Sequence, residues 1–103
     1  MTLTDLSNIL AATNLPVAYD FFPEETFPGY PFVVYREVET DNFIADGVVY
    51  HIKRKVEVQL YTIHKDIVTE ELVEDALQSI PWNKHEEYID GEKCYQITFD
   101  ITI

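Results

Sequence analysis

An α+β fold is what this chain predicts, an antiparallel sheet of about four strands with two amphipathic helices packed on one face. Three observations carry that reading. Two segments, near residues 4–12 and 67–80, place apolar residues at helical spacing. Several others alternate apolar and polar residues with a period of two, as half-buried strands do. A length of 103 residues leaves room for only one packing centre, so residues 1–103 are read as a single domain.

The elements follow in chain order. Leu3, Leu6, Ile9 and Leu10 make one helical stripe, with Thr4 or Asp5 placed to cap a helix from Thr4 to Ala12. Asn14-Leu15-Pro16 ends it, because proline biases its predecessor toward extended geometry. From Val17 to Pro31 the chain carries three of its five prolines, which excludes regular helix and leaves room only for a short strand at Val17–Tyr19. The loop's Tyr19, Phe21, Phe22, Phe27 and Tyr30 are too many aromatic rings for a solvated linker, so some of them must pack.

Phe32 to Glu39 reads as a strand introduced by Pro31, and Thr40 to Gly47 as a turn-rich link. Val48 to Ile63 reads as one long strand. Val48, Tyr50, Ile52, Val56, Val58 and Leu60 are expected on its core face, and His51, Lys53, Lys55, Glu57 and Gln59 on its wet face. Asp66 opens a second helix, Ile67 to Ile80, with Val68, Leu72, Val73, Ala76, Leu77 and Ile80 as its stripe. Glu70, Glu71, Glu74 and Asp75 fall on the solvent side. Asn83–Ile89 and Glu92–Ile103 are expected to pair about Asp90-Gly91, a dipeptide that suits a tight turn with φ > 0. The order is α-(β)-β-β-α-β-β, without repeats or low-complexity tracts.

Composition narrows the function. Seven Lys and Arg against 19 Asp and Glu give a net charge of −12, which repels polyanions and argues against gripping nucleic-acid phosphates. The one concentration of positive charge, His51 to Lys55, lies inside a strand-like run. Cys94 is the only cysteine, so neither an internal disulfide nor a thiolate metal cage is available, as suits a reducing compartment. The N-terminal residues lack the charge and apolar run of a signal peptide, and no apolar run approaches the ~18 residues that span a bilayer. Folding in the cytoplasm, away from membranes, is the expectation.

Catalytic patterns are missing. His51, His64 and His85 show no metal-ligand spacing, and each reads as an exposed side chain. The acid pairs Glu24-Glu25, Glu70-Glu71, Glu74-Asp75 and Glu86-Glu87 read as solvated, since no apolar context surrounds them to raise a pKa. Cys94 beside Lys93 has no partner triad and reads as a small, partly buried thiol. Three glycines, Gly29, Gly47 and Gly91, cannot build a phosphate-cradling loop. Trp82 after Pro81 is expected to seal the corner between helix and strand. No enzyme, cofactor or metal centre is expected.

Four features carry a resemblance to a known family: Pro31-Phe32-Val33-Val34-Tyr35, the link Asn42-Phe43-Ile44-Ala45-Asp46-Gly47, the strand Val56-Glu57-Val58-Gln59-Leu60-Tyr61 followed by Lys65-Asp66, and Tyr88 to Tyr95 around the closing hairpin. With these the chain, from about Leu15 onward, resembles the small tail-completion (tail terminator) minor structural proteins of siphophages and related prophages. The resemblance implies a protein that caps the tail tube, as a ring that is typically a hexamer, and joins it to the head connector. Its partners would be copies of itself, the major tail tube protein and a head-completion protein, with DNA only as passing cargo. The place implied is the tail or neck of a virion assembled in the cytoplasm of a bacterial host.

Such a ring needs a heterologous contact surface on each subunit. Phe21, Phe22, Phe27 and Tyr30 of the aromatic loop, with Asn42, Phe43, Ile44 and Asp46 of the link, are the candidates. A head-completion or stopper protein of the same neck is the nearest alternative. A small acidic regulatory binding module, such as a DNA mimic, is another.

Overall fold

The computed structural model describes residues 1–103. Its helices are α1 (Leu3–Ala11) and α2 (Ile67–Ala76). Its strands are β1 (Val17–Tyr19), β2 (Phe32–Thr40), β3 (Phe43–Ala45), β4 (Val48–His51), β5 (Arg54–Thr62), β6 (Trp82–Ile89) and β7 (Cys94–Thr102), with one 3-10 turn at Glu24–Thr26. The α+β class is as expected, but the sheet differs. It has five strands in the order β1-β2-β5-β7-β6, and a separate two-stranded unit joins β3 to β4. β1 pairs in parallel with β2, Val17 opposite Val33 and Tyr19 opposite Tyr35, so the main sheet is mixed where an antiparallel one was expected.

Period-two alternation decides which face is buried. Val33 and Tyr35 of β2, Val56, Val58 and Leu60 of β5, and Ile97, Phe99 and Ile101 of β7 lie in register across the sheet. They form one core with Leu6 and Leu10 of α1 and Val73, Leu77 and Ile80 at α2. Trp82 closes the corner before β6 with its ring edge-on to Phe99 at 5.5 Å. Burial of these side chains, at about 1.5–3 kcal/mol each, is the main term that holds the domain together.

α1 starts one residue earlier than expected, and α2 starts where expected but ends sooner. Thr2, ahead of the expected Thr4 or Asp5, caps α1: its hydroxyl accepts the Asp5 N–H at 3.1 Å, and the Asp5 carboxylate accepts the Thr2 N–H at 2.9 Å. That reciprocal pair satisfies two amides the first turn leaves free. Asp66 caps α2 through Thr69 N–H, as expected, but the helix stops at Ala76.

The buried stripe of α2 is rotated from the expected one. Thr69, Glu70 and Val73 face inward with Leu77, whereas Val68 and Leu72 stay exposed. Glu70, expected in solvent, is therefore buried. It can be, because Lys65 and Lys84 bring ammonium groups to within 2.7 Å and 3.1 Å of its carboxylate oxygens.

The expected long strand Val48–Ile63 is two strands. β7 runs alongside β5 only as far as Arg54, where Ile103 exchanges both backbone hydrogen bonds with it at 2.8 Å. Beyond that point no third strand and no helix covers the chain. Val48, Tyr50 and Ile52, expected in the core, each keep more than half their surface in solvent.

The closing hairpin also differs. Ile89 opposes Cys94, so its loop has four residues, and Lys93 with φ 53° takes the left-handed position that Asp90-Gly91 was expected to fill.

Candidate functional site

The residues expected to make contacts fall into two unlike groups. The first, Phe21 to Tyr30, folds back over the sheet face opposite the helices. There Phe32 of β2 stacks on Tyr61 of β5 at 4.8 Å, and the rings of Phe22, Phe27 and Tyr30 surround Phe32 at 5.6, 5.2 and 5.4 Å. The edge-on packing of Phe22 and Phe27 suits the aromatic quadrupole. Tyr30 also reaches Cys94, which is fully buried beneath it. Loss of solvent, and then the thiol, push the Tyr30 phenol above its usual range. Phe22 and Tyr30 are thus half-buried on their own domain, and only Phe21 and Phe27 remain exposed.

The second group makes an arm. The expected link Thr40–Gly47 is in fact half of a β-hairpin: β3 and β4 pair with Ala45 opposite Val48, which leaves Asp46-Gly47 as a two-residue turn. Both turn residues have positive φ, 54° and 74°, as a type I′ turn requires. The arm continues the β2–β5 ladder past its end. A bulge at Val38 interrupts that ladder, and Asn42 then bridges the gap. Its side-chain oxygen accepts the Lys53 N–H at 3.3 Å while its amide nitrogen donates to the Thr40 hydroxyl. Asn42 is therefore a joint at the base of the arm, and Asp46 forms its tip.

Five residues before that tip and six after it carry the arm on the order of 15–20 Å beyond the sheet at strand rise. That accounts for a molecule measuring 49 × 26 × 23 Å. β3 and β4 make their principal contacts with each other.

Both faces of the arm are apolar. Ile44 opposes Val49 on one, and Ala45 opposes Val48 on the other, while the register shift after Phe43 brings Phe43 near both Tyr50 and His51. Phe43, Ile44, Val48, Val49, Tyr50 and Ile52 are between 45% and 62% exposed. Together, over the two faces, they leave on the order of 600 Å² of side-chain surface in water. A two-stranded ribbon is marginal on its own in water, so this one needs a surface to lie on.

Charge sets the arm apart as well. Residues 41–55 hold three of the seven cations and only two of the 19 acids, a net charge of +1 against −13 for the rest of the chain. Arg54 and Lys55 are paired at the base with Glu37 at 3.5 Å and Glu39 at 3.2 Å, and Lys53 has no carboxylate partner.

The remaining titratable groups make no converging site. His51 and His64 are exposed, and His85 lies 3.3 Å from Asp100 on the open face of the sheet with both side chains largely in solvent. No three His, Cys, Asp or Glu side chains are grouped to hold a metal ion, and no helix is long and apolar enough to cross a membrane.

The one buried ionic cluster is Glu70 with its lysines, which go on to Glu86 at 2.5 Å and Glu74 at 2.6 Å. Burial alone would raise the Glu70 pKa, but the hydrogen bonds and charges of Lys65 and Lys84 outweigh it and hold the carboxyl below its usual range. This cluster ties α2 to β6, with Glu70 Oε2 held 2.7 Å from the Lys65 ammonium in the interior.

The surface thus defined is an apolar arm on an acidic body. Compared with protein-family models and with curated proteins, the chain matches none.

Proposed function

We propose that this protein is a structural assembly subunit, and specifically a tail-completion protein of the siphophage type that caps a tail tube as a ring and joins it to the head connector. The observation that carries the reading is the projecting arm, whose two apolar faces have no cover within the chain. A subunit that acts alone gains nothing from such an element, whereas a ring subunit buries it against a neighbour. The body's charge agrees. A strongly acidic wall lets DNA pass without gripping its phosphates.

On this reading its partners are copies of itself, the tube protein and a connector protein, and its place is the neck of the virion. The resemblance of the chain from about Leu15 onward to tail-completion proteins supports the specific identity, and the arm supports the need for neighbours.

Incubation with purified tail tubes, viewed by electron microscopy, tests it. The expected result is a ring of added density at one end of each tube. Binding instead to the isolated head connector and not to tubes would favour a head-completion role. One-to-one binding to a basic protein, with no ring, would favour the regulatory module and overturn the proposal.

A further inference from the structure

A second apolar surface lies on the helices. Because the buried stripe of α2 runs through Thr69, Glu70 and Val73, the residues that the sequence pattern would bury are left outside: Val68 is 72% exposed and Leu72 is 42% exposed. Leu72 and Ala76 face Ile9 and Ala12 across a cleft of about 400 Å³ between α1 and α2. Its rim is acidic. Asp75 lines the cleft, Glu71 lies one residue before Leu72, and neither takes part in an ion pair.

We infer that the arm of one copy docks in the α1/α2 cleft of a second copy, Ile44 and Val49 packing against Val68 and Leu72 while Lys53 faces Glu71 and Asp75. The inference rests on the ring-forming reading and specifies its interface. Three features select this occupant. The arm keeps exposed apolar side chains on both faces, so the Ile44 and Val49 face can enter the cleft whichever way the other is covered. Residues 41–55 carry a net charge of +1 on a chain of −12 and an unpaired Lys53, and the unpaired Asp75 lines the cleft with Glu71 one helical turn before it. Finally, Val68 and Leu72 are apolar side chains left without cover on the outer surface of α2, beside the cleft. Arm and cleft are different patches, so the contact is heterologous. Repetition of it closes a ring, or runs on as a chain if the rotation does not close.

The test uses two variants of the full-length protein, each changed only at exposed positions so that folding is spared. Ile44→Asp, a single charge with no like charge opposite it, disables the arm and keeps the cleft; Val68→Asp/Leu72→Asp disables the cleft and keeps the arm. Circular dichroism should match the wild type for both. Sedimentation velocity should show self-association weakened about a hundredfold in each, as expected for charge placed on central apolar contacts. An equimolar mixture should then yield a one-to-one heterodimer and nothing larger, because it contains one intact arm facing one intact cleft.

If the cleft variant assembles as the wild type does while the arm variant does not, the arm docks elsewhere, such as on Phe21 and Phe27 or on another arm. The inference then fails and the ring reading stands. If the wild type itself never associates, alone or on tubes, the ring reading fails with it. A mixture that stays monomeric also overturns the proposed pairing.

Discussion

Removing the lysines that hold Glu70 should cost far more than removing Glu70 itself. The carboxylate is 2% exposed, and its charge is tolerated because Lys65 and Lys84 lie within 3.1 Å of it. In Lys65→Met/Lys84→Met the charge is left buried without a partner. The usual cost of breaking a buried pair this way is about 3–5 kcal/mol. Since both lysines are more than a third exposed and water can approach from their side, the lower end applies, about 3 kcal/mol.

In Glu70→Met the buried group is apolar and similar in size, and the lysines keep Glu86 and Glu74, so the change should be within about 1 kcal/mol of neutral. For a domain of this length the double lysine change lowers the melting temperature by roughly 12–24 °C, and the glutamate change moves it by a few degrees at most.

The pH dependence gives an independent check. The folded-state pKa of Glu70 lies below its unfolded value, so its contribution in the wild type is present at neutral pH and is lost as pH falls through the acid range below about 4. Without the lysines burial dominates and the folded pKa rises above the unfolded one. The double variant's deficit should therefore shrink as the pH falls from 7 to 4. Urea unfolding at several pH values reads both effects. A Glu70→Met variant that loses as much stability as the double lysine variant would refute the reasoning, as would a lysine-variant deficit that does not change with pH.

The core and the arm should separate cleanly in stability. Phe99→Ala, at a fully buried position, is expected to cost about 3–5 kcal/mol, whereas Ile44→Ala on the arm should move the urea midpoint of the monomer by less than about 0.5 kcal/mol equivalent. The buried hydroxyl of Thr62 has no hydrogen-bond partner, so the isosteric Thr62→Val should stabilise the domain by about 1 kcal/mol, seen as a higher melting temperature.

Much of the fold was legible where periodicity and neighbours agree. Val56, Val58 and Leu60 alternate, as do Ile97, Phe99 and Ile101, and both sets lie in the core because strands flank them and helices cover them. The same alternation continues through Val48, Tyr50 and Ile52, but there the flanking strand has ended, and a pattern in one strand cannot report how far its neighbour extends. Of the two Asp-Gly pairs, the one at 46–47 takes the tight turn and the one at 90–91 does not. Pairing of Ile89 with Cys94 sets the longer loop, and register is a property of two strands together.

Glu70 was misplaced because its burial depends on Lys84, which is 14 residues away and reaches it only through tertiary packing. The parallel pairing of β1 was equally hidden, since three residues, Val17–Tyr19, carry too little pattern to specify a direction. Of the candidate contact residues, Phe43 and Ile44 stand on the arm, Asn42 and Asp46 build its joint and tip, and the loop's Phe22 and Tyr30 pack on their own sheet. Sequence marked these segments as needing cover. It could not say how much of that cover the chain supplies itself.

Sedimentation equilibrium of the intact protein beside its Ile44→Asp variant bears most directly on the claim that the arm exists to hold copies together. The expected result is a mass that rises with concentration toward a closed multiple of 12.0 kDa for the wild type and stays at 12.0 kDa for the variant, with matching circular dichroism. A wild-type protein that remains a 12.0 kDa monomer at every concentration, or a variant that assembles as readily, would contradict it.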